Sequence, residues 1–316
     1  MRLETWLVAV TMAGVLGGTA SGWPAQDPEQ SGAPVFRSSI DLVRVSAVVR
    51  DRKGRFVRDL KKADFEIFDG DQTRPITDFH TEDAGISMAL LFDVSGSMEN
   101  RMTSARETAS LILGWLTAPG DESAVFTFDT RLDEVRAFEG GAQALPDRLS
   151  SVKPFGATSL HDAIARAAER VASRESLRRA VVVFTDGLDN ASRLTAAEVS
   201  GIASAIDVPV YIVGVVPAID NPSASTSVVT AERSAFVGSL GNLAFWTGGE
   251  VYVVSTFAER GVAARQLVDE LRHQYLLAFE AGMKPGWHRL QLRMRNKDLT
   301  VRSRSGYIAG QSRPIS

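Results

Sequence analysis

The sequence predicts an α/β protein: a doubly wound, mostly parallel sheet with helices on both faces, joined to a small β module built from N- and C-terminal strands. Three observations carry this expectation. The runs ISMALLF (Ile86–Phe92), AVVVF (Ala180–Phe184) and VYIVGVV (Val210–Val216) are apolar without alternation, the mark of strands buried on both faces. Segments with apolar residues at helical spacing stand between them. Outside this block, the text at both ends alternates apolar and polar in short pieces broken by turns. With 44% hydrophobic and 23% charged residues, the composition is that of a globular protein. It excludes a disordered tail protein, a collagen-like repeat and a polytopic membrane protein.

The first segment, 1–25, has the layout of a secretory signal. Arg2 is followed by the apolar stretch Trp6–Leu16 and then by small residues, with Ala20, Ser21 and Ala25 as open choices for the cleavage point. The apolar core is well short of the ~20 residues a spanning helix needs. The expected location is therefore secreted, periplasmic or cell-envelope, with membrane association only if the segment stays uncleaved. Residues 26–39 read as a Pro/Gly/polar linker. In 40–83, strands are expected at Leu42–Arg50, Asp64–Phe68 and Pro75–His80, with turns at Asp51–Gly54 and Asp69–Asp71.

The α/β block is expected over 84–281. After Ile86–Phe92 come helix Arg101–Leu116, strands Ser123–Phe128 and Glu134–Phe138, and helix Leu160–Ala172. Strand Ala180–Phe184, helix Ala196–Ala205 and strand Val210–Val216 follow. Then come a polar insertion Pro217–Thr230, helix Glu232–Phe245, strand Glu250–Val254 and helix Phe257–Arg272. In 282–310 the alternating runs Trp287–Met294 and Leu299–Arg304 flank a turn and read as a hairpin that pairs with 40–83. Such short strand sets need mutual burial. Residues 311–316 are a tail.

Ser, Thr and Asp gather at three strand ends: Asp93-Val94-Ser95-Gly96-Ser97, Gly156-Ala157-Thr158-Ser159 and Thr185-Asp186-Gly187. In an open parallel sheet all three meet in the crevice at the carboxyl ends of the strands, where such folds bind ligands. The alternation of Asp93, Ser95 and Ser97 aims three side chains at one point, with Gly96 allowing the turn. Carboxylates and hydroxyls are hard oxygen donors, suited to Mg²⁺, Mn²⁺ or Ca²⁺ rather than zinc. Two carboxylates balance a divalent charge and leave room for a further anionic ligand.

This trio resembles the metal-ion-dependent adhesion site of von Willebrand factor type A domains, whose pattern is DxSxS with a later Thr and a later Asp. The likeness spans roughly Ile86–Ala281, and the flanking strands resemble those of bacterial exported proteins that pair this domain with β segments. It implies a metal site of Asp93, Ser95, Ser97, Thr158 and Asp186 that carries Mg²⁺ (or Mn²⁺/Ca²⁺). Ser95 and Ser97 would bind the ion directly, and Asp93 and Asp186 would act through waters or hydrogen bonds. Thr158 would alternate between direct and water-mediated contact, and an acidic side chain of a partner protein would complete the octahedron. The resemblance also couples ligand capture to movement of the last helix, here Phe257–Arg272.

Other readings are weaker. A formal charge of −3 argues against nucleic-acid binding. The absence of cysteine removes disulfides, thiolate metal sites and Cys nucleophiles. His80, His161, His273 and His288 show no ligand spacing, and His161 reads as a surface residue at a helix start. Asp129 reads as a turn residue and Asp189 as a cap or rim charge. Lys61-Lys62 and Arg178-Arg179 read as solvated faces, and Trp287 as packing in the β module. The function expected is therefore a non-enzymatic protein-binding module. The alternative is a metal-dependent hydrolase, phosphoesterase-like, in the same crevice. Against it, the sequence offers no GxSxG elbow, no GxxxxGK loop, and no Lys or Arg beside the site to stabilise a phosphoryl transition state.

Overall fold

The computed structural model describes residues 42–81, 84–205, 207–217, 219, 221 and 231–310. The expected signal, linker and C-terminal tail, and most of the Pro217–Thr230 insertion, lie outside the described residues. The chain runs β1 (Leu42–Arg50), β2 (Phe65–Asp69), β3 (Gln72–Arg74), β4 (Ile76–His80), β5 (Ile86–Asp93), α1 (Met102–Trp115), β6 (Glu122–Phe128), β7 (Leu132–Gly140), α2 (Asp147–Ser150) and α3 (Leu160–Ala172). It continues with β8 (Arg178–Thr185), α4 (Ala196–Ala205), β9 (Val210–Val215), α5 (Ala231–Val237), α6 (Ser239–Thr247), β10 (Val251–Val254), α7 (Phe257–Arg272), β11 (Tyr275–Glu280), β12 (Gly286–Met294), β13 (Thr300–Arg302) and β14 (Gly306–Ala309).

The central sheet has the order β10-β9-β8-β5-β6-β7, parallel except for the antiparallel edge strand β7. Every residue of β5, β8 and β9 is buried, as the uninterrupted apolar runs require. Side-chain alternation sends Met88, Leu90 and Phe92 to one face, where they pack with Ala105, Ile112 and Leu113 of α1 and Leu267 and Leu271 of α7. Ala89 and Leu91 point the other way, into the cluster with Ile164 of α3, Val199 of α4 and Leu240 of α6. From β5 the chain moves outward to β6 and β7, then returns to the other side of β5 as β8. That reversal places a topological switch point between β5 and β8, with α1 and α4 leaving toward opposite faces.

The terminal strands form two four-stranded antiparallel sheets, β13-β1-β11-β4 and β14-β12-β2-β3. They share one apolar core: Val43, Val45 and Ala47 of β1 and Leu277 and Phe279 of β11 meet Phe65 and Ile67 of β2 and Leu290, Leu292 and Met294 of β12. Here the structure corrects two expectations. The runs Trp287–Met294 and Leu299–Arg304 are not a hairpin: β12 pairs with β2 and β14, while β13 crosses to pair with β1. A hairpin leaves its apolar face open, whereas strands divided between facing sheets cover each other. The α/β block also ends earlier than 281, because Tyr275–Glu280 lies between β1 and β4.

The expected helix Glu232–Phe245 is two helices, α5 and α6, broken at Gly238 with φ −92° and ψ −107°. Arg178 and Arg179 are not a solvated face but buried. The Arg178 guanidinium donates to the Ala84 carbonyl at 3.1 Å, and Arg179 to the Ala172 carbonyl at 2.7 Å. Trp287 lies against Gly306 yet remains 52% exposed.

The β sandwich meets the amino-terminal edge of the central sheet, around a buried ionic cluster. Glu270 near the end of α7 is fully buried and accepts from Tyr211 Oη (2.7 Å), from Arg50 of β1 (2.8 Å) and from Arg302 of β13. Arg302 also pairs with Glu250, immediately before β10. Arg304 donates to the carbonyls of Ser204 and Arg44. The carboxyl ends of β5 and β8, at Asp93 and Thr185, lie at the opposite edge of the sheet.

Candidate metal centre

Asp93 is the last residue of β5, and pairing of that strand with β6 and β8 carries its carboxylate to the switch point. Both of its oxygens are engaged: Oδ1 accepts from the Ser95 N–H at 2.9 Å and Oδ2 from the Thr185 hydroxyl at 2.7 Å. The group is fully buried, and its pKa rises to about 6. Desolvation is the main cause, with the nearby Asp186 charge adding to it against the hydrogen bonds of Ser95 and Thr185.

Past Asp93 the chain turns through a short 3₁₀ segment, Gly96–Met98, anchored by the buried Met98. The turn leaves the Ser95 and Ser97 hydroxyl oxygens 3.2 Å apart, Ser95 buried and Ser97 exposed. Gly96 is not the residue that allows this geometry: a Cβ there would make only ordinary contact, 3.8 Å from the Gly156 carbonyl. The conformational demand falls on Gly156 (φ +89°) and Gly187 (φ +93°), in the other two loops.

Backbone bonds staple the loops together. Gly96 N–H donates to the Gly156 carbonyl (3.2 Å) and Phe155 N–H to the Val94 carbonyl (2.8 Å). Thr158 is buried and held by the loop after β8. Its N–H donates to Asn190 Oδ1 at 2.9 Å, and its carbonyl accepts from the N–H groups of Asn190 (3.1 Å) and Ala191 (3.0 Å). Asp189 caps the first turn of α3 through the His161 N–H (2.9 Å) and pairs with His161 Nδ1 at 2.9 Å. Burial raises its pKa, but the hydrogen bonds from His161 and Ser192 outweigh that and hold the carboxyl well below the usual range. His161 is therefore not a surface residue, since only 14% of its side chain is exposed. Asp129 closes its own turn by accepting from the Arg131 N–H at 2.8 Å.

Asp186, fully buried, follows Thr185 at the end of β8. Its Oδ2 pairs with the Arg101 guanidinium at 2.5 Å, and the same Arg101 nitrogen lies 3.3 Å from the Ser97 carbonyl oxygen. This corrects the sequence argument that no Lys or Arg stands beside the site. Arg101 stands at the entry of α1, and no local pattern marks it: its partner Asp186 is brought to it only by the return of the chain as β8. Asn190 was missed and Thr185, though part of the third cluster, was given no role: neither carries a charge, and they hold Thr158 and Asp93.

The donor set fits a hard divalent cation. Two ligands at about 2.1 Å in neighbouring octahedral positions stand about 3.0 Å apart, close to the 3.2 Å between the Ser95 and Ser97 hydroxyls. Among the described residues no group of three His, Asp or Glu side chains is arranged to hold a metal, so hydroxyls would have to supply part of the shell. Phe155, 83% exposed, stands on the rim beside Gly156.

A family model for the von Willebrand factor type A domain matches residues 88–188. No curated protein matches the chain. Among solved structures, the chain is similar to a conserved hypothetical protein BatB from Bacteroides thetaiotaomicron, with 19% identity, 59% of this chain and 98% of that one covered, and a TM-score of 0.47. It is also similar to a von Willebrand factor type A protein from Catenulispora acidiphila, with 12% identity, 86% and 75% coverage and a TM-score of 0.47. For the PilB minor pilin from Streptococcus sanguinis the identity is 13%, the coverage 62% and 63%, and the TM-score 0.45. The matched segment begins inside β5, ends just past Asp186 and so contains all three loops: it is residues 88–188 that match the von Willebrand factor type A domain.

Proposed function

We propose that this protein is an exported, non-enzymatic binding module that captures an acidic side chain of a partner protein through a divalent cation. Asp93, Ser95, Ser97, Thr158 and Asp186 would hold Mg²⁺, or Mn²⁺ or Ca²⁺ in its place. The observation that carries the reading is the pair of serine hydroxyls at octahedral-edge spacing, in a crevice with two buried carboxylates. When bound, the ion would supply a Lewis-acidic position for a partner carboxylate. The chain's own part is to keep the ligand oxygens in place: Thr185 fixes Asp93, Asn190 fixes Thr158, and the 3₁₀ turn sets the serines. Export rests on the signal-like pattern of Met1–Ala25. Among the described residues no helix is long and apolar enough to cross a membrane.

The hydrolase reading gains one observation, the Arg101 guanidinium beside Asp186. Against it, among the described residues, the His161 Nε2 that its Nδ1 pairing with Asp189 would orient as a base is buried from solvent. Calorimetric titration of the chelator-stripped protein with Mg²⁺ and Mn²⁺ tests the binding reading. One-site binding is expected, lost in Asp186→Ala and weakened at least tenfold in Ser97→Ala. Equal affinity in Ser97→Ala would remove the site assignment, and Mg²⁺-dependent turnover of a generic phosphate ester, abolished by Asp186→Ala, would replace binding with hydrolysis.

A further inference from the structure

Arg101 stands where the two halves of the site meet. One nitrogen of its guanidinium is 2.5 Å from Asp186 Oδ2 and 3.3 Å from the Ser97 carbonyl oxygen, so a single side chain joins the loop after β5 to the loop after β8. Asp186 is fully buried, and a carboxylate withdrawn from water needs a positive partner. Asp93, also buried, is tied to the residue before Asp186 by the 2.7 Å hydrogen bond from the Thr185 hydroxyl. Among the described residues, the crevice thus brings the Asp93 and Asp186 carboxylates together with the Arg101 guanidinium, which is 18% exposed. A guanidinium keeps its charge at every working pH, so it leaves this carboxylate by displacement, not by deprotonation.

From this geometry we propose that Arg101 is a resident counter-cation of the metal site. It occupies Asp186 before a divalent ion does, and so sets the affinity threshold for that ion. The inference rests on the cation-site reading above. A divalent ion that takes Asp186, directly or through a water, brings two positive charges next to a guanidinium already bonded to the same oxygen. The ion and Arg101 therefore compete, and Arg101 must turn out from Asp186 toward the mouth where Ser97 is exposed. A monovalent cation gains nothing by the exchange, because it replaces one positive charge with one. Arg101 thereby favours divalent over monovalent ions at this site.

The test is Mg²⁺ titration by calorimetry on the full chain, as parent, Arg101→Gln and Arg101→Lys, with thermal melts of each in chelator and in excess Mg²⁺. Arg101→Gln keeps a hydrogen-bonding amide and removes the charge. It is expected to bind Mg²⁺ at least tenfold more tightly than the parent, to melt lower in chelator, and to gain more than the parent from Mg²⁺. Arg101→Lys keeps a positive charge for Asp186 and is expected to fall between the two; it also provides the comparison if Arg101→Gln does not fold without metal. If the variants bind Mg²⁺ with the parent's affinity or more weakly, the competition is overturned and the metal site stands. If parent and variants are all folded and none binds, the metal site itself is overturned, and the role of Arg101 with it.

Discussion

His288 shows how one residue's contacts fix its charge state. Its Nδ1 faces an Asp69 carboxylate oxygen at 2.7 Å and its Nε2 faces the Lys284 carbonyl at 2.6 Å. Both partners only accept, so only the imidazolium satisfies both bonds. The Lys284 carbonyl, and then the Asp69 carboxylate, raise the pKa above the ordinary 6.5, against burial and the nearby Arg74. A raised folded-state pKa gives stability that is complete below the unfolded value and is lost as pH climbs through the folded one. The melting temperature is therefore expected to fall as pH rises from about 6 upward, and His288→Gln should flatten that slope. A parent and variant with parallel pH profiles would show that this contact does not govern the dependence.

At the scale of the element, the loops after the strands carry the candidate site, and their backbone is less forgiving than their side chains. Gly187 follows Asp186 with φ +93°, and a Cβ there would lie 3.1 Å from the Phe236 ring. Gly187→Ala is expected to cost about 1–3 kcal/mol of stability, measurable by urea denaturation, and to weaken Mg²⁺ binding because Asp186 is its neighbour. Gly96→Ala, with only ordinary van der Waals contact at 3.8 Å and no positive φ, is the matched control and should leave stability nearly unchanged. If the two variants unfold at the same urea concentration, backbone conformation at 187 is not limiting.

For the whole molecule, the decisive feature is how the sandwich is bound to the central sheet. Glu270 is fully buried with two arginines from the sandwich and a tyrosine from β9 on its carboxylate. Arg272, two residues on, pairs with the nearly buried Asp121 ahead of β6. The carboxyl end of α7 is thus fixed between both parts, which bears on the resemblance-derived idea that this helix moves. Any movement at its end has to work against these ion pairs. Removing one partner of a buried ion cluster typically costs about 3–5 kcal/mol, since the remaining charges stay buried without compensation. Glu270→Ala is expected to lose stability in that range by denaturant titration, far more than Glu139→Ala at the exposed edge strand. A Glu270→Ala loss below about 1 kcal/mol would mean the cluster is already solvated in solution.

The sequence by itself determined the layers of the α/β block and the three loops that follow its strands, where the candidate site is proposed. Strands buried on both faces must be apolar throughout, helices packed on one face must be apolar at helical spacing, and both patterns are local. For the same reason Leu160–Ala172, Ala196–Ala205 and Phe257–Arg272 have in the structure the limits that their periodicity predicts. Pairing is not local. Alternation in β12 and β13 marks which side chains face inward, but not which sheet each strand joins, and the shared core of the sandwich divides them. Charge pairing is not local either. Arg178 reads the same whether it is solvated or buried against backbone carbonyls, and Arg101 reads as an ordinary helix-entry residue until the return of the chain as β8 brings Asp186 to it. Tertiary structure decided these points because a partner's charge, burial and distance are set by the crossing of strands far apart in the chain.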